Sequence, residues 1–190
     1  MKKLVFAVLM IMTAAVHAKA QKVVEDFTLK NVLNGHDLSL STYPACSGVV
    51  MIFTSNSCPY DEYYKNRIQK IAKDYSDKVP VILVNSLIDA SESPEQMVKK
   101  AQQSGFTVPY LADKDQLLLQ RLSASKTPHA VLLKNNAGKF TVFYSGALDD
   151  NAQVESDVHQ HYLNDAIQAM LDGKAPVAEN RPVGCTIRKK

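Results

Sequence analysis

Three cysteines, Cys46, Cys58 and Cys185, carry the nucleophilic chemistry open to this 190-residue chain. Cys58 has the setting that favours reactivity. It follows the apolar run Val49 to Thr54 and precedes Pro59, after which apolar residues recur at helical spacing. A thiol placed there lies at or beside the N-cap of a helix that leaves a buried strand. Backbone N–H groups are unpaired at a helix start and the macrodipole favours negative charge, so a thiolate is stabilised. The thiolate is the form that attacks disulfides and peroxides. Pro59 suits the first helical position, where its missing N–H is not needed. Asp61 and Glu62 in the same turn act against the anion by repulsion. An odd number of cysteines allows at most one internal bridge and leaves one thiol over.

Other chemistries lack their residues. No Cys or His pair has zinc-ligand spacing. His159 and His161 stand two apart, so a helix would not present them together. The seven glycines are scattered, where a phosphate loop would gather them. Gly-x-Ser-x-Gly is absent, and Asp149-Asp150 reads as a solvated turn or helix cap. We therefore expect no metal and no cofactor.

The elements that would position Cys58 are legible as patterns. Asp26 to Leu29 and Asp37 to Leu40 flank Asn34-Gly35, a tight-turn signal, and read as an N-terminal hairpin. Val49 to Thr54 and Val79 to Val84 read as strands buried on both faces. A helix from Pro59 to about Tyr75 presents Tyr64, Ile68, Ile71, Ala72 and Tyr75 as one stripe. Ser93 and Gln96 form a capping box around Pro94, opening a helix to about Gln103 with Gly105 beyond it. Val108 to Leu111 reads as an edge strand and 114–122 as a short helix. His129 to Lys134 and Thr141 to Ser145 form a hairpin through Asn135-Asn136-Ala137-Gly138. Leu163, Ala166, Ile167, Met170 and Leu171 mark a last helix before Gly173. An alternating part followed by a hairpin and a packing helix gives an α/β domain. Its central mixed sheet is flanked by helices, the connectivity of the thioredoxin fold with an N-terminal hairpin extension.

Residues 1–20 read as a signal peptide. Lys2 and Lys3 precede the apolar run Leu4 to Met12, and Ala18 and Ala20 suit a peptidase that reads small side chains. The run is short for a membrane span. We expect an exported chain, periplasmic or secreted, whose mature domain is 21–190, with no membrane insertion after cleavage. The chain has 22 basic and 19 acidic residues. Losing Lys2, Lys3 and Lys19 with the signal leaves no net charge, hence no basic field for nucleic acid.

Four motifs together resemble one family. They are Phe53 to Tyr60, Thr127-Pro128, Gly146 to Asn151, and Gly184-Cys185-Thr186-Ile187-Arg188. The chain resembles the redoxin branch of the alkyl hydroperoxide reductase/thiol-specific antioxidant superfamily, a thioredoxin-like fold. The resemblance implies that Pro128 is the cis-proline beside the active-site helix, leaving the backbone of Thr127 to pair with an extended substrate. It also marks departures. Ser55 stands where relatives of this type carry the first cysteine of Cys-x-x-Cys, and Lys126 where some carry a cysteine before Thr-Pro. Ser55-x-x-Cys58 is similar to the Thr/Ser-x-x-Cys of peroxiredoxins, whose hydroxyl helps orient a peroxide. Met51 replaces the upstream proline of that motif. Arg67 and Arg121 are the candidates for its arginine, although both read as solvated surface charges. The partners implied are a protein disulfide or a peroxide, and a thiol reductant. His129 reads as structural, with strand alternation turning it from the thiol. Cys185 either resolves an oxidised Cys58 or bridges to Cys46 and pins the tail. We favour the Cys46–Cys185 bridge, which leaves Cys58 as the single working thiol. The competing expectation is a non-catalytic module that binds an extended peptide near Pro128.

Overall fold

The computed structural model describes residues 22–190. The segment read as a signal peptide, 1–20, lies outside the described residues. In chain order the elements are β1 (Val23–Val24), β2 (Leu29–Lys30), β3 (Asp37–Leu38), β4 (Gly48–Phe53), α1 (Pro59–Asp74), β5 (Val81–Asn85), α2 (Pro94–Ser104), β6 (Tyr110–Ala112), α3 (Leu117–Leu122), β7 (Lys126–Thr127), β8 (His129–Asn136), β9 (Lys139–Gly146), α4 (Tyr162–Leu171) and β10 (Cys185–Thr186).

One six-stranded sheet has the order β1-β9-β8-β4-β5-β6. β4, β5 and β6 run parallel, while β8, β9 and β1 pair antiparallel. β4 is central and buried at every position. Its alternation explains why its sequence is apolar throughout. Val50 and Ile52 enter a cluster with Tyr64, Ile68 and Ile71 of α1, Met97 of α2 and Ile167 of α4. Val49, Met51 and Phe53 enter a second cluster on the other face, with Leu118 and Leu119 of α3. Helices therefore cover both faces of a mixed sheet, in a thioredoxin-like arrangement.

The N-terminal hairpin is present but smaller than its sequence pattern. β2 and β3 pair only as Leu29↔Leu38 and Lys30↔Asp37, in a ribbon separate from the main sheet. The β8–β9 turn falls at Ala137 and Gly138, with φ of 54° and 89°, where the left-handed backbone suits a tight hairpin. The helix expected from residue 114 starts at Leu117 instead. Gln116 has φ 58°, outside the helical region, and the Asp113 carboxylate accepts from the amides of Leu118 and Leu119. Asp113 thus satisfies donors at the helix start from outside it.

Candidate active site

The loop between β4 and α1 carries Cys58 at the N-cap of α1, with Pro59 first in the helix. The Cys58 side chain is 6% exposed. Glu92, fully buried, holds this loop from the turn ahead of α2. Its Oε1 accepts from the Ser55 hydroxyl at 2.8 Å, the Ser57 hydroxyl at 2.6 Å and the Ser57 amide at 3.2 Å. Its Oε2 accepts from the Asn56 amide at 2.8 Å and the Asn85 side-chain amide at 2.7 Å. Burial acts to raise the Glu92 carboxyl. The Asn56 amide and the Ser57, Asn85 and Ser55 side chains outweigh it and keep the group below its ordinary range, so Glu92 is an anion at neutral pH.

This arrangement changes the expected basis of reactivity. The amides of Asn56 and Ser57 are taken by Glu92, and the Cys58 amide donates to the Ser55 hydroxyl at 3.2 Å. Stabilisation of a Cys58 thiolate then rests on the α1 macrodipole more than on these three amides. Ser55 gives its proton to Glu92 and accepts from Ser57 and Cys58. Its hydroxyl positions the loop.

Asp61, one turn along α1, is the second unusual carboxyl. Thr54 Oγ1 donates to its Oδ1 at 2.6 Å, while its Oδ2 has no hydrogen-bond partner. Burial is the largest influence and lifts the group to about 7; the Thr54 hydrogen bond opposes it, and the charge of Glu92 adds to the rise. The Thr127 hydroxyl is also buried without a formed hydrogen bond.

The peptide between Thr127 and Pro128 is cis. Cys58 Sγ lies 3.4 Å from the Thr127 carbonyl oxygen. β10 runs antiparallel to β7 with Cys185 opposite Thr127 and Thr186 opposite Lys126. Cys58 and Cys185 form a disulfide, with Cα atoms 5.9 Å apart.

The expected Cys46–Cys185 bridge is therefore corrected: Cys185 bonds Cys58, and Cys46 is a free, partly exposed thiol. The reason is positional. Cys46 precedes β4 and Cys58 follows it, so the six residues of that strand separate them by about 20 Å at the usual rise. β10 docks at the Cys58 end, where Phe53 pairs with His129. A cysteine cannot bridge to both ends of the sheet.

Two more expectations change. Arg67 and Asp149 are buried rather than solvated, joined through Arg67 Nη1 and Asp149 Oδ2 at 2.6 Å. Tyr64 donates to the same carboxylate at 2.9 Å, and the guanidinium lies 3.8 Å from the centroid of its ring. Arg121 lies at the surface and donates to the carbonyls of Glu25 and Asp26. Both guanidinium groups are engaged with carboxylate or carbonyl partners. His129 is buried and pushed down to about 4 by burial. Its Nδ1 accepts from the Ser125 amide, so Nε2 carries the proton toward Ser145 Oγ at 2.9 Å. Glu92 is the site residue that sequence reasoning missed. Its one signal is adjacency to the Ser93-Pro94 helix start, which says nothing about which loop the carboxylate grips.

Residues 20–150 match the model of the AhpC/TSA family. Among curated proteins none matches the chain. The structure is similar to that of the hypothetical protein SMc02350 from Sinorhizobium meliloti 1021, at 26% identity and TM-score 0.79, covering 90% of this chain and 94% of the other. It is equally similar to an uncharacterized conserved protein from Geobacillus kaustophilus, at 27% identity and TM-score 0.78, covering 90% and 92%. A thiol-disulfide oxidoreductase from Bacteroides fragilis NCTC 9343 shares the fold at 15% identity and TM-score 0.55, covering 65% and 89%.

Proposed function

The chain belongs to the AhpC/TSA family, and from that premise we propose that it is an exported thiol-disulfide oxidoreductase whose dithiol is Cys58 with Cys185. The observation that carries this reading is the bond between these two cysteines beside the cis Thr127–Pro128 peptide. Cys185 supplies from the tail the second thiol that Ser55 cannot, which weighs against a module without chemistry.

In the reducing direction, the Cys58 thiolate attacks one sulfur of a substrate disulfide. The substrate S–S bond breaks, a Cys58–substrate disulfide forms, and the departing thiolate takes a proton. The Cys185 thiolate then attacks Cys58 Sγ, expels the second substrate thiolate, and closes the Cys58–Cys185 bond. The substrate gains two electrons and the protein dithiol loses them. A thiol reductant reopens the bond. Asp61, poised near neutrality one turn from Cys58, suits the exchange of protons with these thiols.

Attack on a peroxide has less support. The Ser55 proton is committed to Glu92, and Arg67 and Arg121 are engaged elsewhere. Export to the periplasm or beyond is supported by the basic, apolar and small-residue order of the N-terminus. Among the described residues no helix is long and apolar enough to cross a membrane.

Turnover of a protein disulfide with dithiothreitol as reductant tests the reading. Cys58→Ser should abolish turnover. Cys185→Ser, mixed with the substrate disulfide before dithiothreitol is added, should accumulate a mixed disulfide on Cys58, and Cys46→Ser should match the wild type. Full turnover by Cys58→Ser would contradict the proposal.

A further inference from the structure

β10 is held along the β7 edge. Most of its contacts are to main chain. The Ile187 amide donates to the Ser125 carbonyl at 3.1 Å, continuing the pairing of Cys185 and Thr186 with β7. Gln116, fully buried, donates from Nε2 to the Arg188 carbonyl and accepts at Oε1 from the Lys190 amide, both at 2.8 Å. Two positions are read by shape. A Cβ on Gly184 would overlap the Thr127 carbonyl oxygen and crowd the Pro128 nitrogen. Ile187 is 4% exposed and joins the cluster that contains Leu118, Leu119 and Leu122.

Among residues 184–190 only Ile187 is buried. One apolar side chain and a few hydrogen bonds oppose the backbone entropy of ordering seven residues. The covalent bond from Cys58 to Cys185 tips that balance toward docking.

We propose that the β7 edge is a docking strand for an extended polypeptide of the pattern Gly-Cys-x-aliphatic, and that residues 184–187 are its resident occupant, released when Cys58–Cys185 is reduced. This rests on the exchange chemistry proposed above and names its substrate class. The oxidised chain closes the edge to other polypeptides. The reduced chain opens it, and a substrate cysteine enters at the place of Cys185, with a glycine before it that lets the backbone approach Thr127.

The test uses the full mature chain with Cys46→Ser and Cys185→Ser, so that Cys58 is its one thiol. The probe is the peptide of residues 181–190 with its cysteine carried as a mixed disulfide with thionitrobenzoate. Attack by Cys58 on the peptide sulfur transfers the peptide to Cys58 and releases the coloured thionitrobenzoate anion. The native peptide should react about tenfold faster than its Gly184→Val counterpart, because the added side chain overpacks against fixed backbone. Hydrogen exchange on the unmutated protein supplies the second measurement. Amides of residues 185–190 should be protected in the oxidised form and lose that protection on reduction. Equal peptide rates, or equal protection in both redox states, would overturn the proposal. Labelling by dithiobis(nitrobenzoate) separates the causes. If that small disulfide labels Cys58 while the peptides react alike, docking fails and exchange stands; if it does not label Cys58, the exchange reading itself fails.

Discussion

Burial lifts the Asp61 carboxyl from the ordinary carboxylate range to about 7. Below about pH 4 it is protonated in the folded and the unfolded chain alike. As the pH rises from there, the unfolded chain gives up its proton while the folded chain keeps it, which favours unfolding. The contribution of Asp61 to stability is thus full below about pH 4 and lost as the pH rises through about 7. Asp61→Asn never ionises and can still accept from Thr54. Its melting temperature relative to the wild type should be higher at about pH 8 than at about pH 4.5, as followed by thermal unfolding; an offset that does not change with pH would contradict the assignment. Neither this residue nor Glu92 could be recognised from the chain alone. Asp61 reads as an ordinary first-turn acid favoured by the helix dipole, and only its burial changes its chemistry. The placement of Cys58 at the start of α1 is legible because its signal is local: an apolar strand, a cysteine, a proline, a helical stripe. The partner of Cys58 is not, since pairing depends on which end of β4 the tail reaches.

The β4–α1 loop and the turn ahead of α2 behave as one unit because Glu92 joins them. Five donors converge on its carboxylate. Glu92→Gln would set an amide nitrogen against some of those donors and remove the charge they stabilise. Stability should fall by about 2–3 kcal/mol, the scale of losing charge-assisted hydrogen bonds in a buried site. Denaturant unfolding checks the loss, and amide exchange of Asn56 and Ser57 should rise with it. An unchanged midpoint would mean that the loop keeps its shape without Glu92. At this scale periodicity carried far. The α1 stripe, the α2 cap and the β8–β9 hairpin were all visible in the chain, since each follows from local spacing. The start of α3 lies beyond what periodicity reveals, because it depends on the left-handed Gln116 and on the reach of the Asp113 side chain. The buried Arg67–Asp149 pair has no signature in the chain, because 82 residues separate its members and charge alone does not reveal a partner.

Across the whole molecule the two ends of the sheet hold different cysteines. One holds Cys46, free and partly exposed; the other gathers Cys58, the cis Thr127–Pro128 peptide and the returning tail. The tail completes the site twice over, bringing a second thiol to Cys58 and covering the edge at which that thiol arrives. Ile187 and the Gln116 side chain anchor it from the α3 side of the sheet. Peptide mapping by mass spectrometry, on native protein alkylated across a series of dithiothreitol concentrations, probes this arrangement directly. A peptide pair linked through Cys58 and Cys185 should be present without reductant and disappear as reductant rises, with Cys46 alkylated throughout. A linkage that includes Cys46, or a Cys58–Cys185 bond that opens only when the protein unfolds, would contradict a working dithiol at this end of the sheet.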